Sequence, residues 1–146
     1  MKIRSEASMR RIAVTGIGIV SCIGNNKDEV LLSLREGRSG ITFSEEYEKM
    51  GFRSQVHGKP TLNLSEAVDR RWGRFMGDGA AYNFVAMQQA ITDAGLTESQ
   101  VSHERTALIM GSGGPSTSNQ VAAADNARNR GPKKVGPFMV PRTMSS

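Results

Sequence analysis

One cysteine, Cys22, and two histidines, His57 and His103, are the side chains of this chain that could supply a nucleophile and a base. A thiol attacks as thiolate, and a thiolate at neutral pH needs a helix N-terminus or a cation beside it. Cys22 lies between Ser21 and Ile23 in a glycine-rich turn, a setting that reads first as a small packing residue. The two histidines have no metal-like spacing to each other or to Cys22, and neither has a pair of carboxylates nearby, so both read as loop or surface groups. No metal site and no cofactor is expected. A single cysteine makes no internal disulfide, which fits a reducing, cytoplasmic setting.

Two glycine motifs carry other possible chemistry. Gly16, Gly18 and Ser21 form a near miss to the dinucleotide fingerprint, with serine in the third glycine position. The helix behind it starts near Asn26, several residues too late for its N-terminus to meet a pyrophosphate at Gly18. The acidic candidate for the ribose, Glu36, falls in a last helical turn and not at a strand end. A structural turn is the favoured reading and a nucleotide-binding α/β domain the lesser alternative. The run Gly111 to Ser116 lacks the lysine and hydroxyl ending of a phosphate loop, so its glycines are read as permitting close backbone approach to a ligand or another chain.

Charge points to a partner. Nineteen basic against 14 acidic residues leave a net charge of +5, which favours something acidic. The basic residues are not interleaved with stacking aromatics and match no groove-reading motif, which argues against nucleic acid. They gather in two clusters, Arg70, Arg71 and Arg74 in one and Arg128, Arg130, Lys133 and Lys134 in the other. From charge alone these read as solvated faces.

The elements that must position these groups alternate between strand and helix. Ile12 to Thr15 and Thr106 to Met110 are short apolar, β-branched runs that predict buried strands. Asn26 with Glu29 has capping-box spacing, so a helix is predicted from there with Val30, Leu31 and Leu34 on its apolar face and Gly37 at its end. Residues 38–64 read as a long connection with a short strand over 52–57. Ser65 is expected to cap a short helix leading to the first basic cluster. The strongest helix carries Ala80, Phe84, Met87, Ile91 and Ala94 in one stripe and stops at Gly95. Thr97 starts a further turn, and Ser116 or Ser118 caps a helix through Val121 and Ala124 that breaks at Gly131 and Pro132. At 146 residues and 38% apolar, one domain is the limit. The pattern predicts an α/β fold with parallel strands, only two of them secure. No apolar run is long enough to cross a membrane and no secretory signal is evident, so no membrane insertion is expected.

Six separated segments, in order, carry a resemblance that no single motif provides. RRIAVTGIGIVSCIGNN, LREGRSGITF from Leu34, VDRRWGRFM from Val68, QQAITDAGL to Leu96, LIMGSGGPS and VGPFMVPRTMSS together resemble the N-terminal part of bacterial β-ketoacyl-[acyl-carrier-protein] synthases of type I. The likeness runs from Met9 to Ser146, leaving residues 1–8 as an extension expected to be disordered. It implies an incomplete N-terminal part of a thiolase-type (βαβαβαββ) fold, a cytoplasmic homodimer and no cofactor. The implied reaction elongates an acyl chain by decarboxylative condensation with a malonyl group on acyl carrier protein. In the family the nucleophilic cysteine and two catalytic histidines come at positions beyond Ser146, so no residue here is expected to be catalytic. Cys22 matches the first turn only.

The same resemblance raises both basic clusters from solvated faces to docking sites. Arg70, Arg71 and Arg74, and Arg130, Lys133 and Lys134, match positions that hold the acidic carrier protein and its prosthetic arm. Gly114, Gln120, Phe138 and Met144 match positions at the acyl pocket or the dimer interface. Trp72, Gly73, Gly77, Gly79 and Pro115 depart from the expected pattern around these sites. The alternative is a non-catalytic carrier-binding module or remnant.

Overall fold

The computed structural model describes residues 11–144. The 1–8 extension lies outside the described residues. The ordered elements are mostly helices: α1 (Lys27–Arg35), α2 (Glu45–Lys49), α3 (Leu64–Ala67), α4 (Arg70–Gly73), α5 (Asp78–Asp93), α6 (Glu98–Val101), α7 (Thr117–Arg130) and α8 (Met139–Thr143). A 3-10 turn spans Pro132–Lys134, and two strands, β1 (Ile41–Phe43) and β2 (Val56–Gly58), pair antiparallel with Thr42 opposite His57.

Local chemistry sets most of the boundaries. Asn26 caps the start of α1 by accepting from the Glu29 N–H at 3.0 Å, while the Glu29 carboxylate accepts from the Asn26 side-chain amide and from the Asn25 N–H, both at 2.7 Å, in place of the full capping box. Gly37, with φ +64, and Gly95, with φ +65, take the left-handed conformation that ends α1 and α5. Thr97 and Gln100 form a capping box at α6. The cap of α3 is Asn63, two residues before the expected Ser65: its side chain accepts from the Ser65 N–H at 3.2 Å. On α1 the buried residues are Val30 and Ser33, while Leu31 and Leu34 face solvent, so the helix turns its predicted apolar face partly outward. Ser33 is held inward by donating to the Ile23 carbonyl at 2.7 Å.

The expected parallel pair of strands is not formed. Ile12 to Thr15 and Thr106 to Met110 are extended and unpaired among the described residues, with Ile12 90% and Ile109 91% exposed. Among the described residues neither segment has a strand beside it, and a ladder needs a partner for each backbone donor and acceptor.

Residues 15–20 find their partner in a helix instead. The Ile17 N–H donates to Asp93 Oδ2 and the Ile19 N–H to Gln89 Oε1, both at 3.0 Å. Gln89 Nε2 donates onward to the Asn25 carbonyl at 2.7 Å, and Lys27 pairs with Asp93. Gly16 and Gly18 press on the same helix. A Cβ built at Gly18 would stand 1.7 Å from the Ala86 carbonyl oxygen, and one at Gly16 2.3 Å from that of Ala90. These glycines are therefore fixed by contact, not by φ, and the space a pyrophosphate would need at Gly18 is filled by α5, against the nucleotide reading.

The core is small. Val68, Ala81 and Val85 are its buried members, with Val20, Leu62, Leu64, Ala67, Met76 and Phe84 packed around them. The buried stripe of α5 is thus Ala81 and Val85, one position round from the predicted face, on which Met87 is exposed. The chain exposes 12174 Å², whereas a compact monomer of its mass exposes about 7,300 Å².

Two expected outcomes follow from the contact with α5. Gly18→Ala overpacks a backbone contact, a change costing about 1–3 kcal/mol or more. Amide exchange at Ile17 and Ile19, the two donors held by α5, should rise to the rate of an unstructured chain. Gly114→Ala, where an added Cβ meets nothing within 4 Å, should leave it unchanged.

The second outcome concerns pH. The Lys27 hydrogen bond, followed by the Ile17 N–H, holds the Asp93 carboxyl below its ordinary value. A carboxyl lowered in the folded chain contributes stability at neutral pH that is lost as pH falls through the lowered value. The Ile17 amide resonance should therefore titrate below the usual carboxylate range and lose that step in Asp93→Asn.

Candidate carrier-docking surface

Neither histidine joins Cys22 in a reactive group. Cys22 packs against β2 beside Gly58, where a Cβ would come within 3.1 Å of its Sγ. His57, the preceding residue on that strand, points to the other face and meets the Tyr47 ring edge-on at 5.5 Å. His103 Nδ1 accepts from the Arg105 N–H at 3.1 Å, a local turn contact. Among the described residues no three His, Cys, Asp or Glu side chains gather as metal ligands, and no helix is long and apolar enough to cross a membrane.

The basic clusters are more organised. Asp69 caps α4 by accepting from the Arg71 N–H at 2.8 Å, and the same carboxylate takes the Arg71 guanidinium at 2.8 Å. The Arg71 side-chain hydrogen bond, with the backbone N–H behind it, holds the Asp69 carboxyl below its ordinary value and raises the guanidinium in turn. Arg71 is thus oriented from its base and partly neutralised. The other two arginines of the cluster carry no ion pair among the described residues. The Arg74 guanidinium lies 4.8 Å from the centroid of the Phe75 ring and 5.3 Å from that of Phe138, and the two rings meet edge to face at 5.1 Å. Such a cation lies on the negative faces of both rings.

Phe138 is four residues beyond Lys134, so this stack ties the first basic cluster to the segment that carries the second. The second cluster is built by the end of α7 and the turn after it. Arg128 pairs with Asp125 at 3.5 Å, Gly131 takes φ +86, and Pro132 opens the 3-10 turn that displays Lys133 and Lys134. Arg130, Lys133 and Lys134 are exposed and free of ion pairs among the described residues.

The four remaining expected site residues separate. Gly114 and Met144 line one cavity of about 190 Å³, together with Gly77, Gly79 and Ser112, where α5 and α7 begin. Gln120 is exposed on α7. Phe138 lies under Arg74 and away from that cavity. Sequence reasoning missed Arg142, which shares a cavity with Arg70 and Arg74, and it missed the ring partners of Arg74. Phe75 was legible as an aromatic beside an arginine; Phe138, 64 positions from Arg74, carried no local signal.

The fold is similar to that of solved ketosynthases. The fold matches the ishigamide ketosynthase/chain length factor with a TM-score of 0.76 at 24% identity, over 89% of this chain and 33% of that one. Residues 9–146 match the β-ketoacyl synthase N-terminal domain, and the chain belongs to that family. It is 53% identical over 139 residues to the 3-oxoacyl-[acyl-carrier-protein] synthase 1 of Haemophilus influenzae and 52% identical over 140 residues to that of Escherichia coli. Each alignment covers 94% of this chain and 34% of the relative, so the chain spans about a third of the length of these proteins.

Proposed function

We propose that this chain provides the carrier-docking and pocket-forming part of an acyltransferase of fatty acid biosynthesis. In that reaction a cysteine thiolate takes the acyl group from a thioester. The enolate formed as malonyl-carrier loses carbon dioxide then attacks the acyl carbon and expels the thiolate. Two histidine N–H donors stabilise the enolate oxygen. By this reading the cysteine and the histidines belong to the part of the family's length that this chain does not span, and the chain alone condenses nothing. Work as a cytoplasmic homodimer belongs to the same proposal, with Gln120 at the dimer interface and Gly114 and Met144 at the acyl pocket.

The observation that carries the docking reading is the set of basic side chains left without an acidic partner. Arg70, Arg74, Arg130, Lys133 and Lys134 have no ion pair among the described residues, on a chain more than half identical to proteins whose name includes the acyl carrier protein. Spaced guanidinium and ammonium groups steer and orient an acidic partner, with a gain that salt removes. Stacking on two rings leaves the edge of Arg74 available to donate while holding its plane fixed.

At low salt, immobilised acidic carrier protein should retain the chain. Arg74→Glu should weaken retention by about tenfold or more, equivalent to ~1.4 kcal/mol, and Arg71→Glu should weaken it as well. Raised salt should release the unmodified chain. No retention at low salt, or retention indifferent to both reversals, defeats the docking reading.

A further inference from the structure

Residues 106–110, Thr-Ala-Leu-Ile-Met, run without a bend between the turn over residues 104–105 and Gly111. Leu108 is 65% and Ile109 91% exposed. Consecutive residues of an extended segment point to opposite faces, so both faces present an uncovered apolar side chain. The backbone is uncovered as well. The Thr106 N–H donates to the His103 carbonyl at 2.9 Å, and beyond it residues 107–110 make no hydrogen bond among the described residues. An uncharged, proline-free apolar run with a free row of donors and acceptors is a template for another strand. The area for a partner is present too. The chain exposes about 4,900 Å² more than a compact monomer of its mass, and each side of a standard interface takes about 800 Å².

We propose that the partner of residues 106–110 is the same segment of a second copy, paired antiparallel about a two-fold axis at Leu108. Charge sets the direction. Glu104 and Arg105 precede the segment, and neither has an ion pair among the described residues. A parallel pair in register would set Arg105 on Arg105 and Glu104 on Glu104, about 4.8 Å apart, and like charges directly opposite destabilise a pair. The antiparallel pair puts Gly111 opposite Arg105 and Ser112 opposite Glu104. The two arginines then lie about 20 Å apart, beyond the screening length at physiological salt. Centring on Leu108 sets that residue against its own copy, Ala107 against Ile109 and Thr106 against Met110. Such a contact uses the same patch on both copies and closes at two. It lies on a different segment from Gln120, the residue proposed above for the dimer interface, and depends on neither the docking nor the condensing reading.

Sedimentation equilibrium of the whole chain under reducing conditions tests it. The chain should pass from monomer to dimer between about 1 μM and about 1 mM. Ile109→Lys and Leu108→Lys set like charges beside the axis and should weaken association by about tenfold or more. Both side chains are exposed in the single chain, so its circular dichroism spectrum should not change. Val14→Lys, the same change in the other unpaired segment, and Gln120→Glu should leave the dimer intact. Oxidative cross-linking in a Cys22→Ser background reads the direction: Leu108→Cys should link two copies and Arg105→Cys should not. A chain that stays monomeric to about 1 mM, growth past two copies, dissociation by Val14→Lys or Gln120→Glu, or equal cross-linking at Arg105→Cys each overturns the proposal. Retention by acidic carrier protein is measured separately and should survive Ile109→Lys, so the failure of one reading leaves the other standing.

Discussion

Two glycines lying against the alanine face of α5 are the constraint on which the rest of this structure depends. Two residues of an extended segment advance about 6.6 Å, and four residues of a helix advance 6 Å. The two repeats therefore stay in register for a short run. Gly16 meets Ala90 and Ala94, Gly18 meets Ala86 and Ala90, and the intervening donors of Ile17 and Ile19 reach Asp93 and Gln89. The order is antiparallel: as the segment advances, its contacts move back along the helix. A side chain of any size at Gly16 or Gly18 would hold the two backbones apart and leave the Ile17 and Ile19 donors without their acceptors. The first turn, Cys22, the Asn26 cap of α1 and Lys27 all follow from where this segment is pinned.

The polar side of that contact is economical. Asp93 receives both a backbone donor and the Lys27 ammonium, and Gln89 accepts from Ile19 while donating to Asn25. Two side chains one helical turn apart thus do part of what a neighbouring strand does in a sheet. The same economy recurs at Asp69, where one carboxylate both caps α4 and orients Arg71. In a chain whose buried apolar residues number so few, short-range polar contacts of this kind define local geometry that a larger core would otherwise impose.

Elements with a local cause were legible in the sequence. The helix starts at Asn26 and Thr97 and the stops at Gly37 and Gly95 involve residues within four positions of each other, and the structure keeps all four. Elements with a distant cause were not. Ile12 to Thr15 and Thr106 to Met110 have the composition of buried strands, but composition does not supply neighbours, and both segments remain unpaired. β1 and β2 pair across a helix, α2, that the sequence presented as a connection punctuated by glycine, since Gly51 follows that helix directly. The apolar stripe of α5 was found one position off because Ala86 and Ala90 look neutral until the glycines that cover them are known. The basic clusters were visible as charge, and only the family resemblance suggested a docking role for them, which remains a proposal. The stack that joins them depended on Phe138, which the resemblance placed at a pocket or interface.

Residues 138–144 explain how surface, pocket and core are made to agree. Phe138 supports Arg74, Arg142 borders the cavity over Val68, and Met144 closes the cavity at Gly114, all within two turns of chain. Their spacing is set by two backbone contacts. The Ser116 N–H donates to the Thr143 carbonyl at 3.1 Å, and the Arg142 carbonyl approaches Gly77 so closely that a Cβ there would stand 2.8 Å from it. Gly77 is the N-cap of α5 and supplies no side-chain cap, although serine, threonine or aspartate at that position would stabilise the helix end. The missing cap is explained by the passage of this segment: a capping side chain at Gly77 would displace Arg142 and with it the residues on either side. Helix stability is given up at one position so that a single strand of chain can reach three sites at once.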